Sequence, residues 1–97
     1  MERYELTEIR REVSFRLEGC DPIQLEFGRA RFRPEKVTIL TVAGVFVWAE
    51  VEGHRVLKDG THGQAIHSRR WWAPSRTQME EMPDWMESVI LAAEAIR

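Results

Sequence analysis

The stretch that most constrains this chain is residues 44–72, GVFVWAEVEGHRVLKDGTHGQAIHSRRWW. Val45, Val47, Ala49 and Val51 alternate with Phe46, Trp48, Glu50 and Glu52, the period-2 signature of a strand with two different faces. Asp59-Gly60 interrupts the pattern, and a second strand is expected over residues 64–72. Asp-Gly between alternating segments marks a hairpin, because both central residues of a type I′ turn need φ > 0. Gly53 is expected to mark a bulge. Neighbouring residues of a strand point to opposite faces, so Trp71 and Trp72 cannot both lie under one sheet face, and at least one must be exposed or covered at an edge.

The rest of the chain supplies partners for that hairpin. Val13, Phe15 and Leu17 alternate with Glu12, Ser14 and Arg16, a half-buried strand. Tyr4 and Leu6 alternate upstream of it, and a bulge near residues 7–10 would make one long strand of both, although Leu6, Ile9 and Val13 also suit a short helix. Leu25, Phe27, Ala30 and Phe32 read as a second strand with a parity slip at Gly28, which leaves Arg29, Arg31 and Arg33 facing solvent. Arg33-Pro34-Glu35-Lys36 reads as a turn. Residues 37–42 are apolar on both faces, as in a central strand covered on both sides. Ala43-Gly44 turns the chain into the hairpin, and residues 73–78 read as a loop. The period then changes to 3.6: Trp85, Val89, Ala92, Ala93 and Ile96 share one stripe, with Met82, Met86 and Ile90 at its edges. Pro83 suits the first helical position, and Asp84 and Glu87 suit the positive end of the helix dipole. The expectation is one α+β domain over residues 1–97, an antiparallel meander of four to five strands within residues 3–72 and a helix over about 83–96 packed on one face.

Composition narrows the function classes. A chain of 97 residues that is 43% hydrophobic and 31% charged is globular and can hold one core. The N-terminal sequence MERYELTEIRRE lacks the apolar centre of a signal peptide, no uncharged run approaches membrane-spanning length, and Cys20 has no partner for a disulfide, which together predict a cytoplasmic protein. The net charge of −2 is unevenly spread. Residues 52–72 carry Arg55, Lys58, Arg69 and Arg70 against Glu52 and Asp59, whereas residues 73–97 carry Arg76 and Arg97 against Glu80, Glu81, Asp84, Glu87 and Glu94.

The run Gly53-His54-Arg55-Val56-Leu57-Lys58-Asp59-Gly60-Thr61-His62-Gly63, followed by Trp71-Trp72 and by Met82-Pro83-Asp84-Trp85, resembles short uncharacterised proteins of actinobacteria and their phages. There a G-x-R-x-x-K-D-G-T-x-G hairpin precedes a P-x-W helix start. The resemblance spans about the last half of the chain. It implies a bacterial or phage setting inside the cell and carries no site residues with it.

No pattern of catalytic chemistry stands out. His54, His62 and His67 lie in or beside the hairpin, with His54 opposite His67 in one possible register and not in another. Zinc takes four N, S or O ligands, and Cys20 lies far off in sequence, so ordinary surface histidines are expected and no metal or cofactor. Cys20 has no basic neighbour in sequence to activate it, the serines sit in no G-x-S-x-G elbow, and no phosphate-binding glycine motif occurs, so catalytic residues are not expected. The remaining signal is a hairpin carrying Arg55, Lys58, Arg69, Arg70, Trp71 and Trp72, the residue types that anchor interfaces. The sequence therefore predicts a binding module for a protein partner or a second copy of itself. Nucleic-acid binding through the hairpin is the alternative, a small enzyme the third, and no membrane or small-molecule partner is inferred. The near-neutral charge favours protein over nucleic acid, whose affinity depends on phosphate neutralisation. Arg29, Arg31 and Arg33 mark the rival surface.

Overall fold

The structure, a computed structural model, describes residues 2–96. Five strands build one antiparallel sheet: β1 (Arg10–Arg16), β2 (Ile23–Gln24), β3 (Arg31–Val42), β4 (Val45–Val56) and β5 (His62–Trp72). Two helices follow, α1 (Arg76–Glu80) and α2 (Met86–Ala95). The spatial order is β1-β3-β4-β5, with β2 pairing the start of β3, so the α+β layout is as expected. Strands β3 and β4 are each 12 residues, about 40 Å of extended chain. They help stretch the molecule to 64 × 26 × 23 Å.

The inner face of the sheet is the core. Phe32, Val37 and Ile39 of β3, Ala49 and Val51 of β4 and Trp71 of β5 are buried with Met86 and Ala93 of α2. Val13, Phe15, Ile23 and Leu25 close the flank. The outer face has a smaller apolar patch, where Leu40 lies opposite Trp48 and Trp48 opposite Trp72. The sheet is curled enough that Arg69 of β5 donates to the Gln24 carbonyl of β2, at 3.2 Å, across the inner face.

Several local expectations give way to pairing. Arg33-Pro34-Glu35-Lys36 is not a turn but lies within the first half of β3, where the register slips by one residue at Glu35. Pro34, which has no N–H to give a ladder, sits beside that bulge. Gly53 stands opposite Pro34, and a Cβ there would fall on the Arg33 carbonyl. Its role is close backbone approach; the extra residue of the bulge is Glu35. A second slip between Leu40 and Thr41 skips Val47 and turns Phe46 onto the helix side, away from Trp48. The expected second strand through Leu25, Phe27, Ala30 and Phe32 does not form: β2 ends before it at Gln24, Phe32 belongs to β3, and Phe27 is left exposed in a bend.

The two turns exchange geometry. Ala43 and Gly44 both have positive φ, 51° and 81°, and directly join Val42 to its partner Val45, as a type I′ turn does. At the far hairpin only Gly60 is left-handed, at φ 86°, and its N–H donates to the Leu57 carbonyl at 2.9 Å. That is a Lys58-Asp59 turn followed by a glycine bulge. Asp59 accepts from the Thr61 N–H (2.9 Å) and hydroxyl (2.6 Å), which also lowers its carboxyl pKa.

Residues 2–9 are in neither strand nor helix; Tyr4 is 91% and Leu6 79% exposed, so the long first strand and the short helix are both absent. The expected loop over residues 73–78 contains the start of α1, whose cap Ser75 accepts from the Gln78 N–H at 3.2 Å. Helix α2 begins at Met86 instead of 83, with Trp85 as its cap. Its buried stripe runs through Met86 and Ala93, with Val89 and Ile90 packed beside them, while Ala92 and Ile96 are exposed.

Candidate functional site

The hairpin residues singled out from sequence fall into two groups. Arg69, Arg70, Trp71 and Trp72 lie opposite Val51, Glu50, Ala49 and Trp48. Arg55 and Lys58 lie beyond them toward the turn. Four to seven residues of β4 separate Arg55 from the first group, about 13–23 Å, and Lys58 lies further on, past the end of the strand.

In the first group the charges are already engaged. Arg69 pairs with Glu81 at 2.8 Å, donates to the Gln24 carbonyl and stacks on Trp71 at 5.0 Å. Arg70 lies 3.9 Å from the Trp48 ring centre and 5.4 Å from that of Trp72, and pairs with Glu50 at 3.4 Å. Trp71 is 1% exposed and belongs to the core; Trp72, at 42%, is the exposed one that strand parity requires. The Trp72 N–H donates to the Gln78 side chain at 2.8 Å, so α1 covers the end of the β5 edge.

The second group lies outside the helix cover. Arg55 of β4 pairs across the ladder with Phe32, next to Arg31. Arg29, Arg31, Arg55 and Lys58 line one open cleft of about 490 Å³ at this end of the sheet, together with Ala30, Val56 and Leu57. Among the described residues none of these four cations has an ion-pair partner. The nearest acids in sequence are Glu26, Glu35, Glu52 and Asp59, of which Glu35 serves His54, Glu52 pairs with Lys36 and Asp59 serves Thr61. Arg29 and Arg31 are exposed as strand parity implied, but Arg33 turns aside. Its guanidinium donates to the Cys20 carbonyl at 2.8 Å and to His62 at 3.2 Å.

The histidines do not converge. The observed register sets His54 opposite Ile66, and His67 opposite Gly53. The His54 ring lies 2.6 Å from the Glu35 carboxylate, which also accepts the His54 backbone N–H at 3.0 Å. The bulge at Glu35 makes this contact, and the His54 side-chain hydrogen bond leads in holding the Glu35 carboxyl below its ordinary pKa. Nε2 of His67 and Nε1 of Trp71 are buried without a hydrogen-bond partner. Among the described residues no three His, Cys, Asp or Glu side chains are placed to hold a metal. Burial pushes the Cys20 thiol up; the Asp21 charge adds to this and Arg33 opposes it.

The chain matches no protein-family model, no curated protein and no solved structure. No helix among the described residues is long and apolar enough to cross a membrane.

Proposed function

We propose that this protein is a binding module and that its working surface is the cleft between Arg29, Arg31, Arg55 and Lys58, which takes an acidic segment of a protein partner. The observation that carries this reading is that four cations, none with an ion-pair partner among the described residues, line one cleft in a chain of net charge −2. An acidic strand with apolar residues on its other side matches both features: its carboxylates form charge-assisted bonds with the guanidinium groups, and its apolar side covers Leu57. Nucleic acid is the weaker reading, because two of the four hairpin cations, Arg69 and Arg70, are neutralised by Glu81 and Glu50. That leaves few phosphate contacts. The reading is of binding and not catalysis, since His54 and His62 are tied to Glu35 and Arg33 and the Cys20 thiol is raised. The lone cysteine suits the reducing cytoplasm, and the resemblance to actinobacterial and phage proteins suits an accessory protein of a phage or mobile element.

Fluorescence anisotropy separates the two partners. A labelled Glu/Leu-alternating peptide and a labelled DNA duplex are titrated with the protein across a salt series. The expected result is saturable peptide binding, lost in Arg31→Glu and in Arg55→Glu, with DNA no better than a neutral control. Tighter DNA binding, with log affinity falling by roughly 0.9 per phosphate contact on a log-salt axis, would replace this reading by the nucleic-acid one.

A further inference from the structure

The N-terminal arm has the character of a strand and nothing to pair with. Residues 2–9 read ERYELTEI; Tyr4 and Leu6 point to one side of an extended chain, with Arg3, Glu5 and Thr7 on the other. Glu2, Glu5 and Glu8 against Arg3 give the arm a net charge of −2. Tyr4 is 91% and Leu6 79% exposed, two neighbouring apolar side chains on one side of the arm. At the other end of the molecule is a cleft of the opposite charge, lined also by Ala30, Val56 and Leu57, whose cations have no ion-pair partner among the described residues.

The arm cannot reach the cleft of its own chain. It is anchored where the Ala43 N–H donates to the Ile9 carbonyl at 2.8 Å, beside the β3–β4 turn. From there β1 runs toward the cleft end, pairing Arg10 with Val42 and Arg16 with Lys36, so the arm leaves in the opposite direction. To return it would have to reverse and follow β3 from Val42 back to Arg31, about 36 Å of strand. The eight residues of the arm span at most about 26–29 Å when fully extended, and several of them must lie within the cleft.

We therefore propose that the cleft takes residues 2–8 of a second copy of this chain, a deeper form of the cleft reading above and resting on it. Glu5 meets the cations that line the cleft, Tyr4 and Leu6 on the other side of the arm cover Val56 and Leu57, and Glu2 adds its charge at the tip of the arm. The arm end of one copy engages the cleft end of another, either reciprocally in a closed dimer or successively in a chain. An acidic partner segment then competes with the arm for the same cations.

Charge exchange tests this with full-length chains in analytical ultracentrifugation. One variant carries Arg31→Glu and Arg55→Glu; another carries Glu2→Lys and Glu5→Lys. Glu8 is left alone because it faces Arg10 at 3.6 Å. The wild type is expected to self-associate at high concentration, reaching at least twice the monomer mass. Each variant alone is expected to stay monomeric with an unchanged melting temperature. Their equimolar mixture is expected to associate again, because each reversed arm then meets a reversed cleft. Tyr4→Ala with Leu6→Ala, which keeps every charge, is expected to weaken association at least tenfold. A monomeric wild type, a reversed variant that associates alone as the wild type does, or a mixture that stays monomeric would each overturn the proposal. The Glu/Leu peptide titration distinguishes the two levels of the account. Peptide binding that Arg55→Glu abolishes, with a monomeric wild type, rejects the arm and keeps the cleft; loss of both rejects the cleft itself.

Discussion

The two ends of the β4–β5 hairpin start from similar sequence and come to different uses. Each has two cations: Arg69 and Arg70 at the tryptophan end, Arg55 and Lys58 near the turn. At the tryptophan end the helices lie close, and the guanidinium groups become struts, Arg69 linking β5 to β2 and to Glu81, and Arg70 lying between two indoles. Near the turn Arg55 and Lys58 line a cleft with Arg29 and Arg31, and among the described residues none of the four has an ion-pair partner. A basic residue on a strand is thus not in itself a binding residue. What decides its role is whether the fold has already supplied its counter-charge and its aromatic face.

The comparison breaks most readily at Gly53, which lets β3 pass close at its bulge. A Cβ there meets the Arg33 carbonyl, backbone that cannot swing aside, so Gly53→Ala is expected to cost about 3 kcal/mol or more and to disorder the cleft end first. Thermal melting measures the loss, and hydrogen exchange locates it. Next, Met86→Ala should cost about 2–5 kcal/mol, because Met86 is fully buried in the centre of the core. Trp85→Ala should cost less, since Trp85 is a half-buried cap at the edge of the same stripe. A larger loss at Trp85 in chemical denaturation would move the helix contact. Smaller still, Arg69→Ala should cost about 1–2 kcal/mol, from one charged pair, one carbonyl and one ring face. Arg55→Ala and Lys58→Ala should stay within about 0.5 kcal/mol, as surface changes do. The smallest effect is at Ala43, held at φ 51°: Ala43→Asn should stabilise by up to about 1 kcal/mol, because asparagine tolerates the left-handed region better.

What could be read from sequence was whatever depends on neighbours along the chain. Alternation located β1 and β4, an apolar run located the second half of β3, the turn signal at Asp59-Gly60 located β5, and the change of period near the C-terminus located α2. Strand parity alone required that Trp71 and Trp72 part company. The bulges were not legible, because each depends on the residue across the ladder. Pro34-Glu35 looks like a turn until Gly53 is placed opposite it, and Phe46 changes face only because β3 skips Val47. The arginines at 29 and 31 could be placed in solvent, but their meeting with Arg55 follows from the β3–β4 register, which no local pattern states. The cap of α1 is written in the sequence as Ser75 with Gln78 three residues on, a helix-start pattern inside the segment that reads as a loop.

The central claim is that one end of the hairpin holds the fold and the other holds a partner. It is tested most directly by measuring melting temperature and acidic-peptide affinity together on Arg69→Ala and Arg55→Glu. The account predicts that Arg69→Ala lowers the melting temperature by about 4–8 °C for each kcal/mol lost while binding the Glu/Leu peptide as the wild type does. Arg55→Glu is predicted to melt like the wild type and to lose the peptide. Peptide binding that survives Arg55→Glu and disappears in folded Arg69→Ala would contradict it.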